Sequence, residues 1–365
     1  TGELKAIYPY ERGNLAGEAV FYDKDQKIYC KLVYSKDILQ SSTYFDKSGK
    51  QINSSQRKND MISLDVYNSE GYKTSHQNFD AKGNMTGLCT YYYPSGKISE
   101  TDEYRDGKMN GLAISYYRNG QKKTEVNMAD GKENGYYTGF YLNGQKQLEG
   151  WYRDGEAEGH WFSYDELGNV DVKTYYIDGE LWGYKEEFSP NGKATFTGKY
   201  SNGWLESLSQ FDTSGKILIT DTFPRGEGKY ILLYQNGNKM IESHFTYGDF
   251  DGPYKSYYFD GSVETAQFFK KGLLDSTYKS YFFGGKLNTA GHFLGGKKTG
   301  EWKYFDENGN LNNQVVYSYD MMQGPSTYFF ENGKKDIEIN YKNDQRNGST
   351  VRLDPDGSVA YAVRY

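Results

Sequence analysis

The stretch that decides the fold is Gly135–Gly159, which reads GYYTGFYLNGQKQLEGWYRDGEAEG. Its two halves are short and rich in aromatic residues, which favour strands. Asn143-Gly144 separates the halves and Asp154-Gly155 follows the second half, and such pairs accept the positive φ of hairpin turns. The stretch therefore predicts a β-hairpin followed by a second turn that leads to another hairpin.

The same pattern recurs along the chain at a spacing close to 24 residues, with two shorter steps of 23 and 22 residues. The turn glycines are Gly96, Gly120, Gly144, Gly168, Gly192, Gly215, Gly237, Gly261, Gly285, Gly309, Gly333 and Gly357. The register continues less cleanly upstream, through Gly71, Gly49 and Gln26, which makes about fifteen units. A regular repeat of this length overrides the two or three globular domains that 365 residues would suggest.

Two aromatic columns appear when each unit is numbered from its turn glycine. Positions −4 and +8 are each aromatic in thirteen of the fifteen units. The sequence therefore predicts an all-β, elongated, single-sheet array of about fifteen 24-residue hairpins, each paired with the next. We expect the nearly invariant −4 column to be the core, because stacked rings add to the energy of burial.

The regularity predicts a division into degenerate repeats over residues 1–86 and a regular array over residues 87–365. Residues 50–66 lack the clear pattern, Arg57 replaces the ring at +8, and a terminal cap is one interpretation. Residues 203–230 are compressed and irregular. The alternatives for this second stretch are a bend in the array and a binding feature.

Gly135–Gly159 resembles the MORN repeat (membrane occupation and recognition nexus), and more closely its bacterial variant. The resemblance rests on Tyr137, Phe140, Tyr141 and Tyr152 around the two turns, covers residues 87–365 well and covers residues 1–86 weakly. It implies a β-hairpin scaffold. Eukaryotic members are scaffolds, some of them tied to membranes or phosphoinositide enzymes, and bacterial relatives are often antitoxin or immunity components.

Composition and charge exclude several classes of protein. Aromatic residues make up 17 % of the chain, which argues against disorder. The net charge is −6, whereas a nucleic-acid-binding face would favour a basic excess. No apolar run approaches the roughly 18 residues of a membrane span. We therefore expect neither nucleic acid as a partner nor a transmembrane segment.

The residues that usually carry chemistry are scattered in the repeat register, so that neither a shared metal ion nor a disulfide is expected. They are His76, His160, His244, His292, Cys30 and Cys89. The Asp-Gly pairs match hairpin turns better than calcium loops. The sequence therefore predicts no catalytic residue, no metal site and no cofactor, and an enzyme is the least favoured class.

Positions −7 and −3 lie opposite the −4 column, because side chains alternate along a strand. This face carries aromatic residues in some units and polar residues in others, so it is either covered or an exposed interaction surface. The candidate partner-binding residues form a strip of Tyr230, Tyr234, Tyr254, Tyr258, Tyr278, Phe282 and Trp302, with a second cluster of Tyr137, Tyr141 and Trp161.

The leading hypothesis is a non-enzymatic scaffold that binds a protein partner through this aromatic face, as a monomer or within a larger complex. The resemblance favours an antitoxin- or immunity-like protein. The alternative is an exported cell-envelope protein, periplasmic or at the cell surface, that contacts glycans or a membrane surface. The chain begins at Thr1, which fits removal of a signal segment, and export is expected ahead of a cytoplasmic location.

Overall fold

A computed structural model describes residues 4–365, and most of them lie in β-strands or in the turns that join the strands. The chain divides into two compact units, one ending at Glu180 and the other beginning at Leu181. The all-β prediction is confirmed: the one helix in the described residues is a 3-10 turn at Pro224–Gly226. No helix in that range is both long and apolar enough to span a membrane.

The first unit consists of short strands that follow one another at hairpin spacing. Their bounds are β1 (Ala6–Ile7), β2 (Tyr10–Glu11), β3 (Asn14–Leu15), β4 (Gly17–Tyr22), β5 (Ile28–Ser35), β6 (Ile38–Phe45), β7 (Gln51–Gln56), β8 (Ile62–Tyr67), β9 (Lys73–Phe79), β10 (Gly87–Tyr92), β11 (Ile98–Arg105), β12 (Lys108–Tyr116), β13 (Lys122–Ala129), β14 (Lys132–Phe140), β15 (Lys146–Arg153), β16 (Glu156–Tyr164) and β17 (Val170–Ile177). A two-residue strand, β18 (Glu180–Leu181), follows at the boundary.

The second unit repeats the same plan. Its strands are β19 (Gly183–Phe188), β20 (Ala194–Ser201), β21 (Trp204–Phe211), β22 (Ile217–Thr222), β23 (Gly228–Leu233), β24 (Lys239–Thr246), β25 (Asp249–Phe250), β26 (Gly252–Tyr257), β27 (Val263–Lys270), β28 (Leu273–Tyr281), β29 (Leu287–Leu294), β30 (Lys297–Phe305), β31 (Leu311–Ser318), β32 (Met321–Phe329), β33 (Lys335–Lys342), β34 (Gln345–Leu353) and β35 (Val359–Arg364).

Consecutive strands pair antiparallel, so the predicted array of hairpins is confirmed. The array is interrupted, however, and is not one continuous sheet. In the first unit the ladder stops between β7 and β8, and in the second unit it stops between β22 and β23. These breaks fall in residues 50–66 and 203–230, the two stretches whose sequence departs from the repeat.

Residues 50–66 contribute strands on both sides of the first break. Arg57, which takes the place of a ring, lies at the break. Its guanidinium donates to the carbonyl oxygens of Leu39, Asp60 and Asp80 at 2.7–2.8 Å. A cation that satisfies backbone carbonyls thus replaces an aromatic contact where the strands part.

The two turns of each unit have different geometries. In the first turn, Gly144 has φ +88° and Tyr141 N–H donates to Gln145 at 2.8 Å, which makes a three-residue loop with glycine in the left-handed position. In the second turn, Asp154 and Gly155 both have positive φ, at 53° and 89°, as a type I′ turn requires. The Asn-Gly pairs therefore close the longer loops, and the Asp-Gly pairs make the tightest ones.

The most densely packed face is the one that carries position −7, and this corrects the expected core column. Residues at −7 are almost inaccessible in nine units: Ala19, Ser42, Leu64, Cys89, Trp161, Leu208, Trp302, Ser326 and Thr350. Residues at −4 are only half-buried. Alternation places −7, +6 and +8 on one side, called here the packed face, and −8, −4, +5 and +7 on the other, called here the open face.

Small residues at +6 make room for the largest rings at −7. A side chain of even one carbon at Gly150 would lie 2.1 Å from the Trp161 ring, and one at Gly291 would lie 2.2 Å from Trp302. Both indoles also donate from Nε1 to a strand carbonyl at 3.2 Å, that of Trp151 and that of His292 respectively. The two tryptophans are therefore core residues that are fixed by packing and by hydrogen bonds.

Candidate functional site

The ten predicted partner-binding residues do not form one exposed strip. Trp161 and Trp302 are 5 % and 2 % exposed, so the expectation that they face solvent is wrong. The physical reason is the choice of face, because −7 side chains pack against the +8 rings and against the −7 rings of neighbouring units. Tyr137 lies 5.8 Å from the Trp161 ring, and Tyr278 lies 5.6 Å from the Trp302 ring.

The −3 tyrosines are structural clamps between repeats. The hydroxyl of Tyr141 donates to the carbonyl of Tyr164, and those of Tyr234 and Tyr258 donate in the same way to the −4 residue of the following unit, at 2.7–2.8 Å. Phe282 occupies the same position without a hydroxyl and is half-buried. These side chains are half-buried, and the hydroxyls of the three tyrosines are already hydrogen-bonded within the chain. The row therefore has few free polar groups for contact with a partner.

Tyr230, Tyr234 and Tyr254 lie near the break in the second unit. The Tyr230 ring packs 4.8 Å from Phe245, and Tyr254 packs 5.3 Å from Phe250. Tyr230 and Tyr234 in addition line a cavity that opens at the break. The structure thus brings two of the predicted residues together with the irregular stretch, and this cavity is the candidate site.

The break arises from the sequence that follows β22. Phe223 is fully buried, Pro224 has no N–H to donate to a ladder, and Arg225 adopts a left-handed φ of 58°. Gly248 N–H donates to the carbonyl of Gly226 at 3.0 Å and fixes this corner. The chain therefore leaves one sheet and starts another without regular pairing of β22 with β23.

A side chain bridges the gap where backbone pairing is missing. Gln210 on β21 is 4 % exposed, its Nε2 donates to the carbonyl of Ile231 at 2.8 Å, and its Oε1 accepts from the N–H of Leu233 at 2.7 Å. These bonds use one donor and one acceptor on the outer edge of β23, as a neighbouring strand would. The amide thereby holds the two sheets at a fixed separation that backbone pairing would have closed.

The separation leaves a cavity of about 390 Å³. Its walls combine rings and aliphatic side chains with a few polar groups: Lys185, Glu187, Thr195, Phe196, Tyr200, Gln210, Phe211, Tyr230, Leu232, Leu233, Tyr234, Gln235 and Met240. The wall is about equally polar and apolar, and the volume lies in the range of about 300–1,000 Å³ that is typical of sites that accept a ligand.

The polar groups of the cavity include an ion pair and two phenols without a hydrogen-bond partner among the described residues. Lys185 Nζ lies 2.7 Å from Glu187 Oε1. Burial raises the pKa of Tyr200 and of Tyr230, and the Glu187 carboxylate raises both further. Within residues 4–365 neither phenol has a hydrogen-bond partner, so both hydroxyls are available to a bound group. The cavity therefore offers two donors and a charge pair inside an aromatic wall.

The described residues show little that could support covalent or metal chemistry. No three His, Cys, Asp or Glu side chains in residues 4–365 are close enough together to hold a metal ion. Cys30 and Cys89 are free and buried.

Sequence reasoning missed most of the cavity, including Lys185, Glu187, Phe196, Tyr200 and Gln210. The shortened spacing between turn glycines did indicate residues 203–230, since steps of 23 and 22 residues occur there. It could not indicate which side chains meet across the gap, because these come from five different strands. Gln210 has no local signal at all, since a glutamine on a strand is ordinarily exposed.

Comparison with known proteins supports the repeat. Residues 85–106, 109–130, 298–319 and 322–343 match the family model described as the MORN repeat variant. The MORN-type repeat is thereby confirmed for these four segments, which lie in both units. The assignment to antitoxin or immunity proteins stays a prediction. No curated protein is similar to this chain in sequence.

Three solved structures are similar to the chain at low level. TcdB2-TccC3 without its hypervariable C-terminal region is 14 % identical, with a TM-score of 0.20 and coverage of 96 % of this chain and 21 % of that one. TcdB2-TccC3-TEV is 12 % identical, with a TM-score of 0.17 and coverage of 95 % of this chain and 22 % of that one. TcdB2-TccC3-Cdc42 is 11 % identical, with a TM-score of 0.13 and coverage of 95 % of this chain and 27 % of that one. The chain spans about a fifth to a quarter of their length, and TM-scores this low carry no argument.

Proposed function

We propose that this chain is a non-enzymatic repeat scaffold that binds a protein partner, and that the cavity at the break between β22 and β23 receives a side chain of that partner. The observation that carries the proposal is the pair of hydroxyls of Tyr200 and Tyr230, which have no hydrogen-bond partner among the described residues and line the same cavity. Each hydroxyl can donate to and accept from a polar group that enters the cavity.

The composition of the cavity supports a protein partner. Aromatic rings around a concave, desolvated centre are the usual setting of binding hot spots, where a few side chains carry most of the energy. Lys185 and Glu187 at the wall would fix the orientation of a polar group on the incoming side chain. An antitoxin- or immunity-like role remains the specific form of this proposal that the resemblance favours.

Site-specific photocross-linking tests the proposal. A benzoylphenylalanine at Gln235, on the exposed rim of the cavity, should capture a partner in extracts of the native source. Glu307 occupies the same turn position, −2, in another unit, where no cavity lies, and it provides the matched control. We expect one protein to cross-link from position 235 and not from position 307.

A blocking variant then tests whether the cavity itself is used. Gln235→Trp fills the rim without touching a core residue, and Glu307→Trp adds the same side chain elsewhere. We expect Gln235→Trp to weaken binding of the captured protein at least tenfold at unchanged melting temperature. Equal cross-linking from both positions, or full binding by Gln235→Trp, would show that the partner docks elsewhere.

A further inference from the structure

The first unit carries an exposed row of rings on its open face. Tyr136, Trp151, His160 and Tyr175 lie on the four consecutive strands β14 to β17, called here the outer row. Tyr136 is paired opposite Trp151, and His160 opposite Tyr175, with ring centroids 6.2 Å and 4.8 Å apart. Tyr136 and Trp151 are 44 % and 49 % exposed, so the row is open to solvent.

The fold does not require this row, and the second unit shows why. The packed face beneath it holds Tyr137, Tyr152, Trp161 and Tyr176, and the same cluster recurs 141 residues later as Tyr278, Phe293, Trp302 and Tyr317. The positions that match the outer row there are Thr277, His292, Glu301 and Val316. The packed cluster is thus formed equally well where only one of the four matching open-face positions, His292, carries a ring.

The charge of the chain is concentrated where the outer row lies. Residues 132–180 contain ten acidic and four basic residues, a net charge of −6 that equals the net charge of the whole chain. The remaining residues contain 39 of each sign. The matching stretch of the second unit, residues 273–321, contains five of each sign and is neutral. Rings and negative charge therefore coincide in one place.

The basic side chains nearest the row are already paired. Lys146 Nζ lies 2.5 Å from Glu149 Oε2, and Arg153 Nη2 lies 2.5 Å from Glu158 Oε1. Burial opposes ionisation of Glu149, yet hydrogen bonds from Lys146 and from the hydroxyls of Tyr136 and Tyr164 hold its pKa below the usual range. The Glu149 carboxylate beside the row therefore stays ionised.

We propose that the outer row, Tyr136, Trp151, His160 and Tyr175, binds a basic segment of polypeptide whose arginine or lysine side chains lie over the rings. Guanidinium and ammonium groups are attracted to the faces of Trp and Tyr, and arginine also stacks on them. Surrounding carboxylates steer a cationic chain towards the site and repel an anionic one. Nucleic acid and acidic peptides are disfavoured by the same charge.

The dimensions of the row suit an extended segment. Four strands at about 4.8 Å spacing give a row of about 15 Å, which four to five extended residues span. Alternate side chains of such a segment point to the same side, so two or three basic residues can reach the rings. This site lies wholly in the first unit and shares no residue with the cavity of the second, so each proposal can fail without the other.

Binding of fluorescently labelled octa-arginine to the full chain tests the proposal by anisotropy. We expect saturable binding that weakens as salt is raised from 20 to about 150 mM, with no binding of octaglutamate. Trp151→Ala with Tyr175→Ala should weaken binding about tenfold or more, since two cation–π contacts of roughly 0.7 kcal/mol each correspond to that factor. Thr277→Ala with His292→Ala, at two of the matching positions in the second unit, should change it less than twofold.

Several results would overturn the proposal. These are failure of the native chain to bind octa-arginine at low salt, or equal weakening by both double variants. Full affinity in the Trp151→Ala, Tyr175→Ala protein would show that charge acts without the rings. If that protein melts at a lower temperature, Trp151→Leu is tested in its place, because it keeps the apolar area and removes the ring face. Unchanged affinity in folded Trp151→Leu would then overturn the proposal.

Discussion

Two sets of rings in the first unit are neighbours in sequence and opposites in environment. Tyr136 and Tyr137, Trp151 and Tyr152, His160 and Trp161, and Tyr175 and Tyr176 are four adjacent pairs, and in each pair one residue belongs to the outer row and the other to the packed cluster. Side chains alternate between the faces of a strand, so one step along the chain separates core from surface.

The comparison teaches that aromatic content alone does not identify a binding surface. The packed cluster recurs in the second unit, whereas the outer row does not. A feature that recurs wherever the fold recurs is explained by the fold, and a feature that appears once needs another explanation. The outer row and the cavity at the β22–β23 break are two features of the described residues that do not recur with the repeat.

The largest expected effect is the difference in stability between removing a ring from the packed face and removing one from the open face. Trp161→Ala removes a ring that is 5 % exposed and contacts three others, so it should lower the stability of its own and adjacent repeats by about 3–5 kcal/mol. Trp151→Ala, ten residues earlier on the open face, should cost less than about 1 kcal/mol. Hydrogen exchange by repeat measures both changes.

Equal loss of protection in the two single variants would contradict this assignment of faces. The second unit supplies a replicate, because Trp302 is packed in the same way and the matching open-face residue of the preceding strand is His292. Trp302→Ala should therefore resemble Trp161→Ala, and His292→Ala should resemble Trp151→Ala.

A smaller effect should appear where the packed face contains a carboxyl group. Asp102 at +6 is fully buried opposite Cys89, and among the described residues neither of its oxygens has a hydrogen-bond partner. Burial, with a contribution from Glu100, raises the pKa of Asp102 to about 6, against about 3.9 when unfolded. Because the folded state holds the proton more tightly, this group favours folding at low pH and loses that contribution as pH rises from about 4 through 6.

Asp102→Asn should therefore remove part of the pH dependence of this repeat. We expect the variant to be more stable than the native chain by about 1–3 kcal/mol at pH 7.5 and similar to it at pH 4. Denaturant unfolding at the two pH values measures this difference. A stability difference that is the same at both pH values would show that Asp102 does not titrate in this range.

The smallest effect concerns the −3 clamps. Tyr141→Phe removes one hydroxyl that bonds the carbonyl of Tyr164 and should cost about 0.5–1.5 kcal/mol, with exchange protection reduced at the junction of the two repeats. Phe282 shows that a ring without the hydroxyl is tolerated at this position. A loss as large as that of Trp161→Ala would mean that the clamp row belongs to the core after all.

Much of the architecture follows from local patterns in the chain. The glycine ladder determined the repeat length, the hairpin order and the two irregular stretches in which the breaks fall, because turns with positive φ and strand alternation depend on residues close in sequence. The concentration of charge in residues 132–180 can also be read from the sequence alone. These features need no knowledge of which strands meet.

Only the tertiary structure decided which face is packed and where a cavity opens. Both −4 and +8 are aromatic columns, so composition could not choose between faces. The choice depends on small residues such as Gly150, which let the Trp161 ring approach the neighbouring strand. The cavity likewise depends on Gln210 reaching across to Ile231 and Leu233 from another sheet. Contacts of this kind join residues that lie 11 to 23 positions apart, and local sequence preference carries no information about them.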